Sequence, residues 1–305
     1  MAAVRAAAAT AAVDAGVGAR VRFVTAGTTC AVCGAATEPW CRKLDRDVFR
    51  CRACGHITVP AGLMRTADGA SIYESDESIF EADGNAAYYF DDTNAEAARE
   101  KLAFVTQYAR NGGRLLDVGA SFGHFLAEAS TRFQATGIEV SPSAVTWAKR
   151  TFSVDIGVGS IYELAGGIYD VMTCWDVIEH LENPAAAIDQ MRSHLAPGGR
   201  LFISTPDAGS LVARVMGSRW HYLDPVQHLN LFSRRNLTRL LSAHGLSVIG
   251  HRHFGRSYRI GYIVDRLKYL AGGRGGTTAI PSAIAKVAIP IKLWDVMGLV
   301  AQAAV

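Results

Sequence analysis

Two pairs of cysteines, Cys30-Ala31-Val32-Cys33 and Cys51-Arg52-Ala53-Cys54, stand seventeen residues apart. Two cysteines with two residues between them put both sulfurs on one tight turn, and two such knuckles complete a tetrahedral set for zinc. Gly34 and Gly55 follow the second cysteine of each pair, where a backbone with positive φ turns amides toward the sulfurs. Four thiolates leave no open position for water, so a zinc on Cys30, Cys33, Cys51 and Cys54 has a structural role. Two disulfides and a redox-active Cys-x-x-Cys are the competing readings. No secretion signal supports the first and no strand-helix context the second. Cys41 and His56 are spare ligands or bystanders, and Cys174 reads as a small buried strand residue.

A second constellation is Asp117-Val118-Gly119-Ala120-Ser121-Phe122-Gly123. Glycines at 119 and 123 let the backbone approach a ligand closely, and Asp117 can accept hydrogen bonds from an amino group. A dinucleotide site would need Gly-x-Gly-x-x-Gly to cradle a pyrophosphate. The pattern here is Asp-x-Gly-x-x-x-Gly, which suits a cofactor with an amino acid part and no phosphate. Glu139 lies 22 residues beyond Asp117, beside Val140, where a carboxylate can take two ribose hydroxyls.

The elements that must hold these residues follow from local signals. Apolar positions recur at helical spacing from Asn94 to Arg110, and Asn111-Gly112-Gly113 ends that helix. A strand over Arg114 to Gly119 and a helix over Phe122 to Arg132 open a nucleotide-binding βαβ unit. The second strand is Ala135 to Val140; Ser141 caps the next helix and Pro142 starts it. A third strand near Val154 to Val158 leads to Gly159-Ser160-Ile161, placed to border an adenine. A fourth, Tyr169 to Trp175, runs into Asp176.

Together these segments resemble the class I S-adenosylmethionine-dependent methyltransferases, from Leu115 to about Gly250. Ala196-Pro197-Gly198-Gly199-Arg200 resembles that family's turn into its fifth strand, and Phe232 to Gly245 its late helix. The resemblance implies an α/β fold, a Rossmann-like methyltransferase sheet with helices on both faces, preceded by the small zinc ribbon. It also assigns the cofactor residues: Asp117, Gly119, Ala120, Ser121 and Gly123 at the amino acid part, Glu139 and Val140 at the ribose, Ser160 and Ile161 at the adenine, Trp175 and Asp176 on the floor. One departure is Ser121, which replaces the central glycine of the family's loop. A cysteine ribbon before such a core looks like methyltransferases of bacterial sugar, polysaccharide and natural-product pathways.

Methyl transfer is an in-line displacement, so the protein positions the nucleophile and removes its proton. Three histidines are the candidate bases: His228 first, His221 second, and His180 after the fourth strand. Each could instead be a loop-capping histidine. Asp176, Glu179 and His180 also resemble the magnesium trio of ubiquinone-pathway O-methyltransferases, against which stands a purely structural Glu-His pair. Tyr73, Tyr88 and Tyr89 precede the core as a cover over the cofactor or as packing residues.

With 305 residues, half of them hydrophobic, the chain can bury a full α/β core and carry a small module. The organisation expected is an Ala-rich disordered leader over 1–24, the ribbon over 25–62, a linker or cofactor cover over 63–93, the core over 94–255, and a basic amphipathic extension over 256–305. A net charge of +3 does not call for nucleic acid, and in the ribbon Glu38, Asp45 and Asp47 dilute Arg42, Lys43, Arg46, Arg50 and Arg52. From His251 onward eight Lys or Arg residues face two aspartates, which raises peripheral contact with anionic lipid. Lacking a spanning run or a signal peptide, the chain is expected in the cytoplasm, with contact at the inner membrane face as a variant. Oligomeric state leaves no mark in the sequence. The acceptor is expected to be a small molecule, a sugar or lipid-linked sugar hydroxyl or carbon. A zinc-ribbon RNA methyltransferase and a non-catalytic S-adenosylmethionine-binding scaffold are the alternatives.

Overall fold

In the computed structural model of this chain the described residues are 29–60, 93–261, 263–264 and 280–303. The leader over 1–24 and the cover with Tyr73, Tyr88 and Tyr89 lie outside them.

Three short strands come first: β1 (Thr37–Lys43), β2 (Arg46–Cys51) and β3 (Ile57–Thr58). After α1 (Thr93–Thr106), strands and helices alternate: β4 (Arg114–Val118), α2 (His124–Ala129), β5 (Gln134–Glu139), α3 (Pro142–Phe152), β6 (Ile156–Val158), β7 (Tyr169–Trp175), α4 (Pro184–Ser193) and β8 (Leu195–Pro206). Side-chain caps set the helix starts, the first of them as read from sequence. The Ser141 side chain accepts from the Ala144 N–H with Pro142 in the first turn, and Asn183 accepts from Ala186 ahead of Pro184. The rest comprises α5 (Leu211–Met216), β9 (Asn230–Leu231), α6 (Arg234–Ala243), β10 (Leu246–His253), β11 (Arg256–Arg259), α7 (Ser282–Ala285), β12 (Ala288–Ile291) and β13 (Val296–Ala303).

The main sheet has seven strands in the order β10-β13-β8-β7-β4-β5-β6. β4 pairs in parallel with both β5 and β7, and β7 with β8, whereas β13 is antiparallel to β8 and β10. Side chains alternate between two cores, as a strand buried on both faces requires. Leu116, Met172, Leu201 and Leu299 pack with Ile188 and Met191 of α4 and Leu237 and Leu241 of α6. Leu115, Val171, Phe202 and Val300 pack with Phe104 and Val105 of α1 and Phe125 of α2. The chain leaves β4 toward β5 and β6, then crosses back to β7 on the other side. That reversal opens a crevice beyond the carboxyl ends of β4 and β7.

Two domain boundaries need correction. The core does not stop at residue 255, because β13 lies inside the sheet with both edges paired. Its side chains from Val296 to Ala301 are buried, so this strand belongs to the core and not to an amphipathic extension. The ribbon is not closed at residue 62 either. β9, from the segment after His228, adds to β3 as the fourth strand of the ribbon sheet. Between these parts, Ile284, Val287, Ile289, Leu293 and Trp294 are exposed. No helix among the described residues is long and apolar enough to cross a membrane.

Candidate functional site

The crevice is lined first by the turn after β4. Gly119 takes φ +70°, and a Cβ there would lie 2.4 Å from Cγ2 of Val177, so only glycine fits. Ser121, which departs from the glycine expected at its place, also has a left-handed backbone at φ +48°. That conformation turns its N–H onto Glu139 Oε2 at 2.8 Å. The other carboxylate oxygen, Oε1, accepts from the Ser141 N–H at 3.0 Å. Two amides thus fix the Glu139 carboxylate, and each oxygen keeps a lone pair for a hydroxyl.

Asp117, next to last in β4, is almost fully buried, with Oδ1 accepting from Thr173 Oγ1 of β7 at 2.6 Å. Burial pushes its pKa up to about 7, against the lowering effects of the Thr173 bond and the Lys101 charge. An arriving ammonium would reverse that, by pairing with the carboxylate in place of a proton. Asp176 follows β7 at φ +57° and accepts from Ser204 Oγ at 2.8 Å, while its other oxygen meets Lys101 Nζ at 3.2 Å. Lys101 also lies 5.4 Å from the centroid of the Trp175 ring. Sequence reasoning missed Lys101, since a lysine on a helix is usually solvated and its partner is 75 residues away. Past β6, Ser160 caps a short turn by accepting from the Tyr162 N–H, Ile161 is buried, and Val140 is half-buried beside Glu139.

The second wall follows directly. Ile178–His180 form a 3-10 turn with His180 at its end. His180 Nδ1 lies 2.8 Å from the Gln227 carbonyl and His228 Nδ1 lies 2.6 Å from the Tyr222 carbonyl. Since a carbonyl can only accept, both imidazoles donate from Nδ1. The two rings are 4.9 Å apart, and burial lowers the His180 pKa. His221 points elsewhere, with Nε2 3.2 Å from Asp295 Oδ2.

Glu179, His180 and His228 bring their ligand atoms within 4.8 Å of one another. The trio Asp176, Glu179 and His180 does not form such a group among the described residues, since Asp176 is turned to Lys101 and Ser204. Magnesium takes oxygen ligands, whereas two imidazoles and a carboxylate make a donor set for a transition ion. The residues therefore do not fit magnesium.

The six cysteines, five of them in the ribbon and Cys174 in β7, are unbridged. The sulfurs of Cys30, Cys33, Cys51 and Cys54 converge, with Cys30 to Cys54 at 3.6 Å and Cys33 to Cys51 at 3.5 Å. A tetrahedral site with Zn–S bonds of about 2.3 Å needs sulfurs about 3.8 Å apart, so the knuckles fit a zinc ion. Gly34 and Gly55 both have positive φ. Burial raises the Cys51 thiol, but the Cys54 and Ala53 amides and the Cys33 sulfur outweigh it and bring the pKa down to about 7.

The methyltransferase-domain family profile matches residues 90–251. A ubiquinone biosynthesis O-methyltransferase from Xanthomonas campestris is 39% identical over 116 residues, covering 34% of this chain and 48% of that protein. The chain thus spans about half the length of the curated relatives it matches. Among solved structures, magnesium protoporphyrin IX methyltransferase from Synechocystis, with bound S-adenosylhomocysteine, aligns at a TM-score of 0.52 and 15% identity, over 75% of this chain and 98% of that one. A 1,6-didemethyltoxoflavin N1-methyltransferase from Burkholderia thailandensis aligns at 0.50 and 16%, over 88% of this chain and all of that one.

Proposed function

Since the chain belongs to the methyltransferase-domain family, we propose that it transfers the methyl group of S-adenosylmethionine to an oxygen of a small-molecule acceptor. The observation that carries this reading is the Glu139 carboxylate, held by the Ser121 and Ser141 amides at the mouth of a crevice with no pyrophosphate cradle. Relatives named as O-methyltransferases support oxygen as the acceptor atom. A sugar hydroxyl belongs to that class.

S-adenosylmethionine supplies a methyl group on a sulfonium, with a neutral thioether as leaving group. Glu139 accepts the ribose hydroxyls and Asp117 the ammonium, while Ser160 and Ile161 border the adenine. On the facing wall His228 Nε2 takes the proton from the acceptor hydroxyl. With S-adenosylmethionine bound, the oxygen's electron pair would take the methyl carbon as the carbon–sulfur bond broke, and the proton removed from the hydroxyl would leave His228 as an imidazolium. His180, its pKa lowered by burial, stacks edge-on against His228 and sets its ring. The cysteine knuckles hold one structural zinc.

Two features weigh against RNA as the acceptor. Arg52 is paired with Glu38 at 2.6 Å and Arg42 with Asp45 at 3.9 Å, so these two basic side chains of the ribbon each face a carboxylate. The decisive measurement is a calorimetric titration with S-adenosylhomocysteine, with native mass spectrometry for zinc. Binding should weaken by at least about tenfold in Glu139→Ala, the cost of losing charge-assisted hydrogen bonds, and survive in His228→Gln. No binding to the unaltered protein would sink the proposal.

A further inference from the structure

The cysteine knuckles and the acceptor wall are joined by side chains to which the reaction above gives no task. His56 stands two residues beyond Cys54 and is fully buried. Its Nε2 lies 3.1 Å from Asn230 Oδ1, and Asn230 Nδ2 donates to the Leu181 carbonyl at 2.8 Å. One residue earlier, the Leu229 N–H donates to the Glu179 carbonyl at 2.8 Å, and the Leu229 carbonyl accepts from the Val59 N–H at 2.9 Å and from Thr58 Oγ1 at 3.2 Å. Glu179 and Leu181 flank His180, while Leu229 and Asn230 follow His228. His228 therefore sits one residue from bonds that end on the stretch leaving the second knuckle, and His180 is tied to the same stretch through Leu229 and Asn230.

We propose that His56 and Asn230 are positioning residues that make the ribbon part of the acceptor site. Closing the knuckles around a metal fixes β3, β3 holds β9 in register, and β9 sets the spacing of His180 and His228. This rests on the reading that the four cysteines hold zinc. The donor crevice shares none of these bonds. Its residues come from β4, β5 and β7, which makes the effect separable from cofactor binding.

Hydrogen-deuterium exchange on the zinc-loaded full chain tests it. In His56→Ala and in Asn230→Ala, amides at His180–Leu181 and Leu229–Leu231 should exchange about tenfold faster, the size of one lost buried hydrogen bond. Affinity for S-adenosylhomocysteine should stay unchanged. In His56→Gln, whose Nε2 reaches as far as that of histidine and can donate to Asn230, most of the protection should return. A purely space-filling role would not be rescued this way. Stripping zinc from the unaltered protein with a chelator gives a second readout that needs no substitution. The knuckles and Leu229–Leu231 should open together while β4 and β7 stay protected. Unchanged exchange in both alanine variants, opening of the knuckles alone, or loss of the whole sheet at once would overturn the proposal. Failure of the methyltransferase reading would show instead as absent S-adenosylhomocysteine binding with this coupling intact.

Discussion

Consider Gly119 replaced by alanine. The new methyl group would lie 2.4 Å from Cγ2 and 3.3 Å from Cγ1 of Val177, and the backbone would have to keep φ near +70°. A non-glycine residue in the left-handed region costs about 1–2 kcal/mol. Overpacking a filled site adds about 1–3 kcal/mol. Val177 cannot retreat freely, because Asp176 before it is itself left-handed and the 3-10 turn begins directly after it. The sum, about 2–5 kcal/mol, corresponds to a fall in melting temperature of about 5–20 °C for a domain of this size. The two parts can be separated in a cycle of four proteins: unaltered, Gly119→Ala, Val177→Ala and the double variant, each unfolded in urea. With Val177 cut back the collision disappears and only the backbone cost should remain. The coupling between the two sites is then about 1–3 kcal/mol. Were Gly119→Ala equally costly in both backgrounds, the close approach of the β4 turn to Val177 would be wrong, and with it the shape given to the crevice floor.

Asp117 gives a pH prediction. The folded carboxyl titrates near about 7 against an ordinary 3.8, so the folded state holds more protons than the unfolded one between those values. The stability of the ligand-free protein should therefore fall as pH rises from about 4 to about 7, by at most about 1.4 kcal/mol per pH unit. Asp117→Asn should flatten this slope in urea melts over that range, and an unchanged slope would remove the buried carboxyl as its source. At the other end of the chain, deleting residues 296–305 strips β13 from between β8 and β10 and should abolish cooperative unfolding followed by circular dichroism. Leu299→Ala, in the same strand, should cost about 2–5 kcal/mol. A truncated chain that still melts cooperatively would mean that β13 is an appendage after all.

The parts legible in the sequence are those whose signals are local. The strand expected over Tyr169 to Trp175 has those bounds in the structure, and Ser141 and Ser233 cap the helices that follow them. Each is announced within a few residues, by a bounded apolar run or by a hydroxyl ahead of the first turn. β13 gave no comparable sign. Its glycine at 298 interrupts the strand pattern, and its two partners end about 90 and 43 residues earlier, separations at which periodicity carries no pairing information. The histidines show the same limit. All three candidates were equivalent as residue types, and only the fold put His180 beside His228 while turning His221 to Asp295. β9, two residues long, is too short to register as a strand in any sequence pattern.

That difference follows the division of labour within the cleft. In the proposed reading the donor wall runs from Asp117 to Asp176 on consecutive strand ends, so each residue is placed by its own strand and turn. The acceptor wall includes the segment from Trp220 to Asn230, which has no long element of its own and is held from outside at both ends. At one end Trp220 Nε1 donates to Asp295 Oδ2 at 3.3 Å, His221 reaches the same oxygen at 3.2 Å, and Lys43 Nζ donates to the Trp220 carbonyl at 2.9 Å. Asp295 leads directly into β13, so the last strand of the sheet anchors the start of this wall. At the other end, Leu229 and Asn230 are bound to Val59 and His56 of the ribbon. A loop whose two ends are tied to distant parts of the chain can shift when those parts change, without disturbing the strand ends proposed to hold the donor. On this geometry, exchanging the ribbon or the residues around Asp295 would redirect acceptor choice while S-adenosylmethionine binding persists, and substitutions along β4 and β5 would do the reverse.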